Sequence, residues 1–305
     1  MHRPEQNRDL LIYSHHTTMI SIIICSRKSD ISSTLKENIQ HTIGCEYELV
    51  IIDNSQNKYS IFTAYNEGVS KSQGDILCFM HDDILYHTNG WGKIISQHFQ
   101  NDKELGVIGV AGAQMISDAP LYWTYSPFKS ERFIINDNGN TTEWGHDVYL
   151  TFDNNNTAEV AVVDGLCFFV PKILFANIRF DDINYNGFHA YDMDICMQVH
   201  QIGYKVTLCN TLLIEHFWSD KFWTSSDKLT ILEKQMSIFT NKWKDQLPFC
   251  KGLDFITPTY LIRLNDLMRS KYETRQIRNS KTYKLGKFLL LFPKKTFKIL
   301  QSHNK

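Results

Sequence analysis

The 305-residue sequence has no segment approaching the ~18 consecutive apolar residues of a membrane-spanning helix, so no such helix is expected. CxxC pairs are missing as well. The seven cysteines (Cys25, Cys45, Cys78, Cys167, Cys196, Cys209 and Cys250) are odd in number and scattered. Several lie in apolar runs, which fits reduced core thiols better than a disulfide framework or a zinc site. The opening residues, "MHRPEQNRDLLIYSHHTT", lack the apolar core of a secretory signal, and a reducing, cytoplasmic setting is the expectation. Charge of one sign is not in excess either. The formal net charge is −1, charged residues make up 21% and hydrophobic ones 43%, so bulk charge gives no reason to expect nucleic acid as a partner. No GxGxxG follows a strand-like run, and GxxxxGK[ST], GxSxG and HExxH do not occur. Dinucleotide oxidoreductases, P-loop NTPases, serine hydrolases and zincins are disfavoured accordingly.

What the chain does have is a series of dry strands that stop abruptly at polar residues. "ISIIIC" begins at Ile20, "YELVIID" ends at Asp53, and "ILCFM" (76–80) runs straight into His81-Asp82-Asp83. Apolar runs of this length, rich in β-branched residues, read as strands buried on both faces. Between them, residues 30–43 and "YSIFTAYNEGVSKSQ" have helical spacing, the second closed by the turn Gln73-Gly74-Asp75. Strand–helix–strand–helix–strand predicts an α/β fold with a mainly parallel sheet and right-handed crossovers. In such sheets ligands bind beyond the carboxyl ends of the strands. Ser26-Arg27, Asp53-Asn54 and His81-Asp82-Asp83 all fall at that edge and are expected to share one crevice.

Farther along, 90–99 reads as a helix and "LGVIGVAGAQ" as another dry strand. Residues 115–160 mix aromatics with Asn, Asp and Gly, as in loop and irregular β. "VAVVDGLCFFVPK" returns to strand texture, "YDMDICMQVHQIGY" is an amphipathic helix stopped by Gly203, and "KVTLCNTLLIEHFW" gives strands ending in Glu215-His216. Residues 271–305 hold ten Lys/Arg against one Glu. The expected organisation is an N-terminal extension over 1–18, a catalytic-type domain over 19–250 and a basic helical extension over 251–305.

The paired acids Asp82 and Asp83 are the strongest chemical signal. A nucleoside diphosphate sits against carboxylates only with a divalent cation between them, and Mg²⁺ or Mn²⁺ takes one or two protein carboxylates plus phosphates. The alternative is a solvated strand end or helix cap. Asp53 suits a nucleobase or ribose contact, or else an Asx turn with Asn54 and Ser55. Asn66 lies within a helix, where an Asn is ordinarily just solvated. Asp192 and Asp194, two apart near a helix start, point in different directions, and either is favourable there for structural reasons alone. His216 is a structural histidine unless its strand ends at the same crevice as Asp83, in which case it is a candidate ligand.

In this order, the motifs resemble those of a family-2-like glycosyltransferase of the GT-A fold, of the bacterial surface-polysaccharide type. "ISIIICSR" resembles the family's first strand and "VIIDNS" its second-strand acid motif. "AYNEGVSKSQGDILCFMHDDI" is similar to its N-x-G … G-D … D-x-D block, "YDMDICMQVHQIGYKV" to its E-D-x-D helix, and "IEHFWSDKF" to its late His segment. The resemblance spans about Met19 to Trp223. It implies a GT-A (Rossmann-like) sheet flanked by helices, with the basic helical extension following it. It also implies a metal-dependent inverting transferase that moves a sugar from a nucleotide-sugar donor to a glycan or lipid-linked acceptor, with Mn²⁺ or Mg²⁺ as cofactor.

By position, Ser26, Asp53 and Asn66 would hold the nucleoside, and Cys25, Arg27, His81 and Asp82 would complete the donor site. Asp83 would bind the metal with His216 as a further ligand, and Asp192 would be the general base. His81 replaces the first D-x-D acid, as in an "H-x-D" subgroup, while Tyr191 and Gln198 replace the family's Glu and Arg. Two other classes stay open. A sugar nucleotidyltransferase is disfavoured because "SIIICSRKSD" has no Gly-rich loop after the first strand, and a non-catalytic sugar-nucleotide-binding module is opposed by Asp83 and Asp192. The basic tail reads either as a solvated helix or as a peripheral contact with an anionic membrane, at an inner membrane face.

Overall fold

A computed structural model describes residues 18–137, 139–144, 147–148, 150–217, 226–285 and 287. Apart from Thr18, the N-terminal extension lies outside these residues, as does the part of the basic tail beyond 287.

The dry runs form a seven-stranded sheet at the centre of the molecule. β1 (Ile20–Ser26) pairs in parallel with β2 (Tyr47–Asp53) on one side and with β3 (Ile76–Met80) on the other. Beyond β3 the order continues through the strand Cys167–Pro171, then β5 (Leu105–Gly109), Lys205–Cys209 and the edge strand Thr157–Glu159. Cys167–Pro171 is antiparallel to both its neighbours and Thr157–Glu159 to its one, so the remaining five strands share a direction. The expected, mostly parallel sheet is present.

Residue alternation divides the core between the two faces of the sheet. Ile23, Leu77 and Phe79 pack on one face with Phe62, Tyr65 and Phe180. Ile22, Ile24, Cys78 and Met80 pack on the other with Leu35, Ile39 and Trp91. Helix α1 (Ser33–Thr42) is capped by the Ser32 hydroxyl, which accepts from Leu35 N. Helix α2 (Ile61–Lys71) is capped in the same way by Ser60, whose hydroxyl accepts from Thr63 N. Gly68 lets α2 lie against β1, because a Cβ there would stand 2.3 Å from Ile23 Cγ2.

Two runs that read as single strands in the sequence are broken. "LGVIGVAGAQ" splits into β5 and Ala111–Ala113, which join different sheets. "VAVVDGLCFFVPK" splits into Val162–Val163 and Cys167–Pro171, leaving Asp164, Gly165 and Leu166 as a connection between sheets.

A second, four-stranded sheet brings the late histidine to the crevice. β4 (Ile84–Tyr86), directly after the acids, pairs antiparallel with Ile214–Phe217, and the register sets Ile84 opposite His216. Phe217 N donates to Asp83 O at 2.9 Å. Helix α3 is Trp91–Asn101, and α4 is Tyr191–Gln201. Ala190, buried at φ 69°, turns the chain into α4 through a left-handed conformation that L-residues with a Cβ seldom adopt. Lys242 at the end of α5 (Ser226–Lys242) bonds the buried Asp194 at 2.8 Å, and α6 (Pro258–Asn279) docks through Asn265, which accepts from the Ser117 hydroxyl at 2.8 Å.

Candidate active site

At the carboxyl edge of β1 and β3 opens a cavity of ≈ 580 Å³. Its walls include Cys25, Arg27 and Lys28 from the end of β1, and His81, Asp82 and Asp83 from the end of β3. Two half-exposed aromatics, Phe188 (44%) and Phe217 (41%), border it.

The strand-end acids divide their tasks. Asp82 accepts the buried Ser26 hydroxyl at 2.5 Å, so Ser26 supports the floor from beneath. Asp83 Oδ1 is buried and accepts no hydrogen bond. It lies 3.7 Å from His81 Nδ1 and 3.6 Å from His216 Nε2. Ligand atoms of these three residues fall within 4.8 Å of one another. A buried carboxylate oxygen without a proton donor is costly unless a cation meets it, and two imidazole nitrogens beside it complete a donor set for one. Burial pushes the His81 imidazole below its ordinary value against the pull of Asp83. Burial opposes ionisation of Asp83, but His216 and His81 outweigh it and hold the carboxyl below the usual range. A neutral imidazole and an ionised carboxylate are the forms that bind metal. The residues therefore fit a divalent cation.

The positions implied for the donor are distributed unevenly. Cys25, Arg27, His81 and Asp82 line the cavity. Burial pushes the Cys25 thiol up, so it presents a neutral wall. Asp53 is set level with Ser26 by strand register, and its Oδ1 accepts Ser55 N at 2.9 Å, so the Asx turn is present. Asn66 is not brought to the cavity. Its carboxamide brackets the Phe180 backbone, donating to the carbonyl at 2.8 Å and accepting from the N–H at 3.1 Å.

Asp192, 1% exposed at the start of α4, is not among the residues that line the cavity. Its Oδ2 accepts from Tyr122 OH at 2.7 Å and Gly165 N at 3.0 Å, and its Oδ1 from Met193 N at 2.9 Å. Burial, with the nearby Asp164 charge, raises its carboxyl to about 7. Asp164 was not singled out in the sequence. Its Oδ2 stands 3.2 Å from the same Tyr122 hydroxyl oxygen and accepts from Trp123 Nε1 at 3.0 Å, and its Oδ1 accepts from Leu166 N at 2.8 Å. An acid interrupting the apolar run "VAVVDGLCFF" was the available signal, of the same kind that marked the end of β3.

Both departures from the family pattern have structural partners. Tyr191 OH stands 3.2 Å from His81 Nε2 and donates to Gly165 O at 3.1 Å, which joins the two halves of the site. Gly165 is required there, since a Cβ would come within 2.1 Å of that hydroxyl. Gln198 Nε2 donates to Asp194 and to Arg179 O at 2.7 and 2.9 Å and so braces a loop.

A mostly parallel sheet with a metal-capable centre and cationic side chains at its carboxyl edge defines a Rossmann-like α/β domain with a strand-end ligand site. The match to the Glycosyltransferase like family covers residues 21–243, and the chain belongs to that family. No curated protein matches the sequence. Among solved structures, the crystal structure of GalNAc-T7 with UDP, GalNAc and Mn²⁺ is similar at a TM-score of 0.50 and 12% identity. The likeness covers 90% of this chain and 58% of GalNAc-T7, so the chain spans less than two thirds of that protein. A197 from STIV is similar at a TM-score of 0.39 and 12% identity, over 66% of this chain and 86% of its own. The fold is GT-A. Among the described residues, no helix is long and apolar enough to cross a membrane.

Proposed function

We propose that the protein transfers a sugar from a nucleoside-diphosphate donor to an acceptor hydroxyl on a glycan or lipid-linked chain, with inversion at the anomeric carbon, in surface-polysaccharide synthesis. The observation that carries the reading is Asp83 Oδ1, buried and unbonded between His81 and His216 at the cavity wall. GalNAc-T7, of the same fold, was crystallised with UDP and Mn²⁺. In this chain two imidazoles and one carboxylate favour Mn²⁺ over Mg²⁺, because imidazole is a poor partner for the harder ion. When bound, the cation would neutralise charge on the departing diphosphate.

The chain's own residues do the rest. Arg27 and Lys28 add positive charge at the same wall for the phosphates. Asp82, steadied by Ser26, and Asp53, level with Ser26 at the neighbouring strand end, would contact the ribose and base. The acceptor hydroxyl gives its proton to the acid pair at Asp192 while its oxygen attacks the anomeric carbon from the face opposite the diphosphate. The basic segment 271–305 would hold the protein against an anionic membrane carrying lipid-linked acceptors. Liposome flotation with and without that segment tests it, and equal flotation rejects it.

The primary test is a thermal-shift panel of UDP-, GDP-, CDP- and dTDP-sugars, each with Mn²⁺, Mg²⁺ or EDTA. A ligand at a hundredfold excess over its Kd adds about 2.7 kcal/mol. One nucleotide class should stabilise only with metal, and Asp83→Asn should remove that shift. Absence of any shift with every donor returns Asp82 and Asp83 to a solvated strand end.

A further inference from the structure

Asp192 is too deeply buried to meet an acceptor directly, and both its oxygens are already hydrogen-bonded. We propose that Asp164, Tyr122 and Asp192 form a proton relay in which Asp164 meets the acceptor hydroxyl, Tyr122 passes the proton on, and Asp192 stores it. The inference rests on the glycosyl-transfer reading above.

Its basis is a proton count at one phenol. Tyr122 has a single hydroxyl hydrogen, yet carboxylate oxygens approach its oxygen from two sides, Asp192 Oδ2 at 2.7 Å and Asp164 Oδ2 at 3.2 Å. With both acids ionised, one of these contacts has no proton. One added proton completes both: Asp164 O–H donates to Tyr122, and Tyr122 O–H donates to Asp192. The arrangement is therefore short by the one proton that an attacking hydroxyl gives up.

Of the two acids, Asp164 is the half-buried one and Asp192 the enclosed one. Both are held firmly, Asp164 by Trp123 Nε1 and Leu166 N, and Asp192 by Gly165 N and Met193 N. Burial pushes the Tyr122 phenol well up, so it passes a proton without losing its own. The other titratable groups facing the pair are Tyr191, the Cys196 thiol from within α4, and His81 through Tyr191. Burial pushes Tyr191 and Cys196 up and His81 down, so all three are neutral near pH 7. The connection 164–166 also abuts the metal-capable centre, since His81 N donates to Leu166 O at 3.1 Å.

The step balances as follows. The acceptor oxygen forms its bond to the anomeric carbon, and the bond from that carbon to the diphosphate oxygen breaks with its electron pair leaving on the diphosphate. The acceptor proton goes to Asp164. Asp164 then gives a proton to the Tyr122 oxygen as the Tyr122 hydrogen moves to Asp192, and solvent later takes it up.

Two measurements test this on the full-length protein and its isosteric variants D164N, D192N and Y122F, each first checked for native circular dichroism. The first needs no substrate: carbon-detected NMR titration of chains labelled with [4-¹³C]aspartate. A carboxyl titrating near neutrality should vanish in D192N and move down by about one pH unit or more in D164N. An unmoved titration in D164N overturns the pairing. The second follows nucleoside diphosphate release with the sugar nucleotide that gives the largest metal-dependent thermal shift. D164N and Y122F should each lower kcat on the order of 10²-fold, keep KM for the donor within about threefold, and lose the rise of rate through neutral pH. Wild-type kcat and pH profile in both variants overturn the relay and leave glycosyl transfer standing. No release by the wild type from any donor overturns glycosyl transfer and the relay's role with it, while the titration still reports on the carboxyl pair.

Discussion

Replacing Asp192 by asparagine keeps the shape of a fully buried side chain and removes its proton chemistry. In the wild type, burial reinforced by Asp164 raises this carboxyl from 3.8 to about 7. Between those values the folded chain holds a proton that the unfolded chain has released. Stability falls with rising pH wherever the folded state binds more protons, so this group costs the wild type stability from about pH 4 to about pH 7 and nothing further above that. From pH 5 to pH 8 the loss covers about two units, or roughly 2–3 kcal/mol. Because the Asp164 charge contributes to that rise, part of the sum reports the pair and not Asp192 alone. D192N has no such slope. Its amide gives up an acceptor toward Gly165 N or Tyr122 OH, a cost that does not vary with pH. Urea unfolding of both proteins at pH 5 and pH 8, at fixed ionic strength, should show the difference between them moving in the variant's favour by roughly 2–3 kcal/mol at the higher pH. A difference equal at both pH values, within the ~10–15% error of the extrapolation, refutes the account of a buried, proton-sharing carboxyl.

The bracketing role of Asn66 is separable from donor binding. Asn66→Ala strips the Phe180 N–H and carbonyl of their partners and should cost about 1–3 kcal/mol in urea, with donor affinity changed by less than about threefold; intact stability with lost affinity would reverse that assignment. Gly68→Ala drives a methyl against Ile23 Cγ2 and should cost roughly 1–3 kcal/mol, partly offset by ~1 kcal/mol of helix propensity. An unchanged melting temperature in that variant would mean that α2 can back away from β1.

Much of the cavity wall, Cys25, Arg27 and His81 to Asp83, was legible in the sequence because strand ends announce themselves. An apolar run that stops at Asp53 or at His81-Asp82-Asp83 has nowhere to put those groups except the rim of a sheet, and parallel order places the rims together. Asn66 shows the limit. Its place on a helix was legible, but the hydrogen bonds it makes to Phe180 reach across 114 positions of sequence. The same holds for Asp164, which reads locally as a residue inside one strand and becomes an acid on a connection only because Val162–Val163 and Cys167–Pro171 join different sheets.

By itself the sequence determined the α/β alternation, the mostly parallel sheet, and the set of strand-end residues that line its carboxyl edge. These follow from periodicity and burial, which act over neighbouring residues. Tertiary structure decided which distant groups meet. The register of Ile84 against His216 carries an imidazole to Asp83, and Tyr191 links His81 to the connection that holds Asp164 beside Asp192. A cation's donor set and a shared proton depend on separations of 2.7 to 3.7 Å between side chains far apart in the chain, and only the packed fold fixes these.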